Sequence, residues 1–314
     1  MDARERIEAA LAEATAGGLP GIAAAARLAD GTVIEAAAGV RGLDNPAPMT
    51  PDTVFWIASF TKALTTAAVL QLVEAGRVEL DAPVARWLPA LAAPKVLTGF
   101  DASGAPQLAD AKIPITVRQL LAHTSGLAYE FCNAELARHG QATQPAPLGA
   151  AAGVPLVFEP GSGWTYGVGL DWAGELVTAV TGQTLDVYLA EHVFAPLGMT
   201  ETSFLPASAQ ADRRASMHGR GEGGALAPIP FGLPPPPHPS MGGGGAYSTA
   251  RDYLKFLEAI LAGGAPILAP ASLALMTGNE WEGPEVACCL PSTRHSVRAS
   301  IPSPARRSVG GSAS

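Results

Sequence analysis

Phe55-Trp56-Ile57-Ala58-Ser59-Phe60-Thr61-Lys62 is a short apolar approach to a serine, with a lysine three residues further on. The run that follows, Lys62 to Ala75, is apolar nearly all round, which is the pattern of a buried helix, and Gly76 is a good residue to end it. Ser and Lys at i and i+3 share a helix face, with Cβ atoms about 5–6 Å apart. A neutral lysine amine at that distance can take the serine proton, and burial favours the neutral form. The backbone N–H groups of the first helical turn favour negative charge developing at the serine. The tetrapeptide alone is a weak pattern, more often an N-cap serine with a surface lysine. Its setting distinguishes it: an apolar lead-in, a buried helix, and no other S-x-x-K in the chain.

Outward from this centre, residues 4–16 read as a helix with Ile7, Ala10, Leu11 and Ala14 along one face. Gly21–Arg27 and Thr32–Val40 flank Ala29-Asp30-Gly31, a hairpin signal. Residues 77–116 hold several turn signals and few regular elements. Thr116 caps a short helix to Leu121. A Gly/Pro-rich stretch, 140–163, precedes Tyr166. Helices are expected over 170–181, ended by Gly182, and over 184–195, closed by Pro196-Leu197-Gly198-Met199. Residues 205–247 are rich in Gly and Pro, including Pro234–Pro237 and Gly242–Gly245. They suit either a linker or an apolar loop lining a pocket. Ser248 is expected to cap a helix through Leu261. From Trp281 onward no further aromatic residue and no period of 2 or 3.6 is found, so 281–314 reads as an atypical, disordered tail.

Composition narrows the function classes. The net charge is -8 and only four residues are lysine, so nucleic acid and anionic membrane surfaces are poor partners. No apolar run reaches the roughly 20 residues that cross a bilayer. The N-terminus lacks the pattern of a secretory signal, which points to the cytoplasm. Cys132, Cys288 and Cys289 provide neither a disulfide framework nor metal-ligand spacing, and no cofactor is expected. The motifs G-x-S-x-G, H-E-x-x-H and G-x-x-x-x-G-K-[ST] are absent.

Four segments in order carry a family resemblance: the octapeptide around Ser59, Leu120-Leu121-Ala122-His123-Thr124-Ser125-Gly126-Leu127, Pro160-Gly161-Ser162-Gly163-Trp164-Thr165-Tyr166, and Gly243-Gly244-Gly245-Ala246-Tyr247-Ser248-Thr249-Ala250-Arg251-Asp252. Together they resemble the serine β-lactamase-related family, class C β-lactamases and penicillin-binding proteins among them. The nearest resemblance is to the carboxylesterases of that fold, the family VIII esterases. The resemblance implies an α+β fold, an antiparallel sheet flanked by helices plus a helical region, with the active site between them. It implies one unit over 1–280, sheet-forming in about 1–60 and 240–280 and helical in about 61–239. It makes Ser59 the acylated nucleophile, Lys62 the adjacent base and Tyr166 the residue that moves a proton to the leaving group or the deacylating water. His123, Ser125 and the four glycines become turn and packing features, and the Ser59 N–H half of an oxyanion hole.

Two departures bear on function. β-Lactamases carry Y-x-N, whereas Tyr166-Gly167-Val168 has no asparagine, which disfavours β-lactams. A K-T-G, H-x-G or W-x-G segment on a late strand is also missing, since Trp281-Glu282-Gly283 stands in unsuitable surroundings, and the usual C-terminal strands are not recognisable. The expected function is hydrolysis of small esters through an acyl-enzyme on Ser59. A β-lactamase or D-alanyl-D-alanine peptidase, an acyltransferase, and an inactive binding relative are the alternatives. Oligomeric state is left open.

Overall fold

The computed structural model describes residues 1–142, 153–204, 208–229, 241–281 and 283. Helix α1 (Ala3–Ala16) begins in a capping box, Asp2 accepting from the Glu5 N–H while the Glu5 carboxylate reaches back to the Asp2 N–H. Strands β1 (Gly21–Arg27) and β2 (Val33–Gly39) form the expected antiparallel hairpin, Gly21 facing Gly39 and Arg27 facing Val33. Its turn is set by Asp30, whose carboxylate accepts from the Thr32 N–H, and by Gly31 at φ 87°. β3 (Phe55–Trp56) leads into α2 (Thr61–Glu74) through a 3₁₀ turn at Ala58–Phe60.

α2 is the axis of the core. Leu64, Ala67, Ala68 and Val69 are fully buried, and Leu120, Leu170, Leu176, Leu185 and Leu189 from three later helices belong to the same cluster. Each leucine so buried contributes about 1.5–3 kcal/mol relative to exposure. Those helices are α3 (Val117–Leu121), α5 (Gly169–Thr181) and α6 (Leu185–Leu189), with the short α4 (Ala134–Ala142) between the first two. Thr116 caps α3 in a box with Gln119, and Gly182 ends α5 in the left-handed region. The helix expected over 184–195 is instead α6, a π-helical stretch at Ala190–Phe194, and α7 (Ala195–Leu197) ended by Gly198.

Residues 77–116 are more ordered than their turn-rich sequence suggests. β4 (Lys95–Phe100) and β5 (Pro106–Asp110) form a hairpin with a register shift between Leu97 and Gly99. Leu156 stitches β4 to the core, accepting from Leu97 N–H at 2.8 Å and donating to the Lys95 carbonyl at 2.7 Å. β5 is almost wholly exposed and β4 buries the adjacent pair Val96 and Leu97, which is why apolar alternation does not mark them. Within 205–247 the described parts are α8 (Ser208–Ala211), a small hairpin of β6 (His218–Arg220) and β7 (Leu226–Pro228), and the glycine loop before β8 (Tyr247–Ser248). β8 pairs antiparallel with β3, Trp56 facing Tyr247.

Ser248 is not the cap of the next helix, α9 (Ala250–Leu261). It ends β8 and is hydrogen-bonded to Thr202, while the Thr249 hydroxyl accepts from the Asp252 N–H. The chain then forms α10 (Pro270–Thr277) against α2. α1 and α9 both pack on the N-terminal hairpin, and α9 is tied to it by the ion pairs Arg27–Glu258 and Arg251–Glu35. The antiparallel pairing expected of the fold thus appears, among the described residues, as four two-stranded ribbons. The C-terminal strands, the tail after Gly283, Cys288, Cys289 and Pro234–Pro237 lie outside those residues.

Candidate active site

Trp56 ends β3, and the chain turns from sheet into α2 within four residues. Ala58 accepts φ 44°, a left-handed conformation costly for alanine, and His123 at φ 60° is the other non-glycine residue with positive φ among those described. The turn is braced by Thr61, whose hydroxyl donates to the Ala58 carbonyl at 2.6 Å and accepts from the Ala246 N–H at 3.1 Å. Ser59 is thereby presented on the surface at the mouth of the helix.

Three segments converge on it. Tyr166 reaches in from the loop before α5, and its hydroxyl donates to Ser59 Oγ at 2.5 Å. Lys62 Nζ lies 3.3 Å from the same Oγ, 2.6 Å from the Gly243 carbonyl and 3.3 Å from the Tyr129 hydroxyl. The Lys62 ammonium position is 4.6 Å from the centre of the Tyr166 ring. The three residues singled out in the sequence are therefore one contact group.

The loops that deliver these groups are built on close backbone approach. A Cβ on Gly167, next to Tyr166, would overlap the Leu127 carbonyl, so the tyrosine loop can rest directly on the 123–129 loop. His123 joins the same two loops. Its carbonyl accepts from the Thr165 N–H at 3.0 Å, and its Nδ1 accepts from the Gly167 N–H at 3.3 Å. Burial and the neighbouring Lys62 charge push His123 down to about 4, so the ring is neutral near pH 7 and serves as an acceptor. Ser125 is buried and accepts from the Leu127 N–H, a turn-forming contact.

Two residues absent from the sequence reading complete the site. Tyr129 accepts from Lys62 and donates to Asp171 Oδ2 at 3.4 Å, and Asp171 Oδ1 accepts from the Gly243 N–H at 2.8 Å. Burial first, then the Asp171 charge, push the Tyr129 hydroxyl well above its usual range, so it stays protonated. Tyr129 stands two residues beyond the L-L-x-H-T-S-G-L segment and Asp171 in the first turn of α5. The first looks like a core tyrosine and the second like an ordinary N-terminal acid on a helix. Only their spatial meeting at Gly243 sets them apart.

On the other side of the Lys62 stem is a cavity of about 370 Å³, bordered by His123, Trp164, Leu170, Arg118 and Trp281. Trp281 thus stands at the rim of a space shared with Lys62, on the chain end of α10 and not on a strand. No grouping of three or more His, Cys, Asp or Glu side chains suited to a metal ion occurs among the described residues, and no described helix is long and apolar enough to cross a membrane.

The fold has counterparts in known proteins. The family profile described as Beta-lactamase matches residues 4–287, and the chain belongs to that family. The lovastatin esterase of Penicillium rubens is 36% identical over 269 residues, covering 82% of this chain and 65% of that protein. The monacolin J acid methylbutanoyltransferase of Aspergillus terreus is 37% identical over 242 residues, covering 73% and 58%. The solved structure of a simvastatin synthase mutant from Aspergillus terreus superposes with a TM-score of 0.81 at 35% identity, covering 90% of this chain and 73% of that one. The chain therefore spans about two thirds or less of the length of these curated relatives.

Proposed function

We propose that the chain is a serine carboxylesterase that hydrolyses small esters with apolar acyl groups through an acyl-enzyme on Ser59. The observation that carries this is the placement of Ser59 Oγ between Tyr166 OH at 2.5 Å and Lys62 Nζ at 3.3 Å. Tyr166 and Lys62 both donate to Ser59 Oγ, and Lys62 also donates to Gly243 O and Tyr129 OH. For the attack, a neutral Lys62 keeps its two protons on Gly243 O and Tyr129 OH and turns its lone pair to the Ser59 proton.

As Ser59 Oγ attacks the ester carbonyl, its proton passes to Lys62 Nζ, which becomes an ammonium able to donate to all three of its neighbours. The carbonyl oxygen becomes an oxyanion facing the Ser59 N–H at the helix mouth. Collapse breaks the bond to the alkoxide, which takes the Tyr166 proton and leaves as the alcohol. The phenolate recovers a proton from Lys62. In deacylation a water gives its proton to the same pair and releases the acid, restoring Ser59. Residues 1–280 act as one unit in this scheme, and no cofactor enters it. The substrate is a small molecule and the setting cytoplasmic.

Acyl transfer is the second reading, favoured by relatives named as methylbutanoyltransferases: an alcohol replaces water in the second half. β-Lactam hydrolysis is disfavoured because Tyr166 is followed by Gly167-Val168, with no amide where Y-x-N enzymes carry one. The test is turnover of a short-chain p-nitrophenyl ester by the chain and by Ser59→Ala, with mass spectrometry of the acyl adduct. Loss of both turnover and adduct in the variant is expected. Equal turnover by the two proteins would remove Ser59 from the reaction.

A further inference from the structure

Asp171 stands behind the lysine and not beside the serine. One of its carboxylate oxygens takes the Gly243 N–H at 2.8 Å, and the other takes the Tyr129 hydroxyl at 3.4 Å. Those same two residues supply the acceptors that hold Lys62 Nζ, the Gly243 carbonyl at 2.6 Å and the Tyr129 oxygen at 3.3 Å. A single carboxylate therefore grips both supports of the amine. The space between them is filled: a Cβ on Gly243 would lie 2.6 and 2.7 Å from the two carboxylate oxygens and 2.8 Å from the Tyr129 oxygen.

We infer that Asp171 is a positioning residue for Lys62: it fixes the amine beside Ser59 by anchoring the Gly243 backbone and, through the Tyr129 hydroxyl, stabilises the ammonium formed when Ser59 gives up its proton. This rests on the acyl-enzyme reading above, and names the group that makes the lysine a competent base. The proton balance is simple. Ser59 loses one proton, Lys62 gains it, and Asp171 stays ionised throughout, polarising the Tyr129 hydroxyl whose oxygen faces the new charge and anchoring the Gly243 N–H next to the carbonyl that holds the amine. The Tyr129 hydroxyl stays protonated and so can transmit that polarisation without being consumed.

The other ionisable groups around Lys62 do not substitute for Asp171. Tyr166 presents its ring to the amine and its hydroxyl to Ser59. His123 is a neutral acceptor occupied by Gly167. Arg118 and Glu280 border the cavity along the lysine stem and are paired with each other at 3.2 Å. Cys132 meets Tyr129 through the backbone, its N–H donating to the Tyr129 carbonyl at 3.0 Å.

The test is the rate at which a fluorophosphonate labels Ser59, measured by mass spectrometry as a function of pH, in the wild type, Asp171→Asn and Tyr129→Phe. Asn keeps an acceptor for Gly243 and removes the charge. Expected for Asp171→Asn is labelling slower by roughly ten- to a hundred-fold on the plateau, with the acid limb moved to lower pH by about one unit, because an amine without the anion loses its proton more easily. Tyr129→Phe, which cuts one of the two links, should move the limb in the same direction by less. A lowered plateau with an unmoved limb in both folded variants would make Asp171 a packing residue and overturn the proposal. Unchanged labelling in both would overturn it too. Because the readout is labelling, a wild type that labels normally yet turns over no ester counts against the esterase reading alone. A wild type that does not label removes both.

Discussion

The hydroxyl of Tyr166 and the Oγ of Ser59 are 2.5 Å apart, a short contact between two side chains that no common secondary structure holds together. It is maintained by Gly167 resting on Leu127 and by His123 clasping the tyrosine loop. Replacing Tyr166 with Phe removes the proton relay and leaves the ring packing against Tyr129 and His123. Ester turnover should fall by about 10²–10⁴-fold with secondary structure unchanged. A Tyr166→Phe enzyme within a few-fold of wild type would take the tyrosine out of the proton path.

His123 gives the fold a defined acid sensitivity. In the folded protein it stays neutral down to about pH 4, whereas unfolded it takes up a proton below about 6.5. Across that window the unfolded state binds more protons, so stability is complete above the upper value and declines as pH falls toward the lower one. The slope is at most about 1.4 kcal/mol per pH unit. Urea midpoints at about pH 7 and about pH 5 should diverge for the wild type and converge for His123→Asn, since Asn tolerates the φ of 60° and does not titrate. Parallel behaviour of the two proteins would mean that another group carries the acid response.

Gly243 has no room for a methyl group between Asp171 and Tyr129. Gly243→Ala should push the carboxylate or the loop aside, with an overpacking cost of about 1–3 kcal/mol in stability and a loss of roughly tenfold or more in kcat/KM. Gly76→Ala is the control: no atom stands near its added Cβ, and only its left-handed φ of 66° opposes the change. Full activity in Gly243→Ala would show that the loop yields freely.

The start of α9 offers a test of capping. Thr249→Ala removes the hydroxyl that accepts from the Asp252 N–H and should cost about 1 kcal/mol in chemical denaturation. Ser248→Ala acts through a different contact, the buried pair with Thr202 at 2.7 Å, and leaves the cap in place. Hydrogen exchange at the Asp252 amide separates the two, rising only in Thr249→Ala. Faster exchange in Ser248→Ala alone would reverse the assignment.

Much of this arrangement is legible in the chain. The helix behind Ser59 is visible because its apolar residues surround it, and the N-terminal hairpin because Asp30-Gly31 marks its turn. Ser59, Lys62 and Tyr166 fall within recognisable segments and meet in space. The β4–β5 hairpin escapes notice because β5 is exposed, β4 buries two successive residues and not alternate ones, and the pair is secured by Leu156, far along the sequence. Ser248 was a reasonable cap by residue type, but Thr249 takes the position because Ser248 is still engaged in a strand. Asp171 and Tyr129 have no local signature. Their importance lies in a meeting at Gly243, and sequence spacing carries no information on such a contact.

Ser59 and Lys62 belong to one helical turn, whereas Tyr129 is 67 residues from the lysine, Tyr166 is 107 from the serine, and Gly243 is 181 from the lysine. The helix can form from local contacts, but its nucleophile acquires its partners only when three distant loops have docked on it. On the acyl-enzyme reading, chemical competence is therefore one of the last properties to appear during folding. A growing or half-folded chain carries the serine and lysine without the groups that hold the amine and without the tyrosine relay, and so is spared acylation by stray esters until the protein is whole.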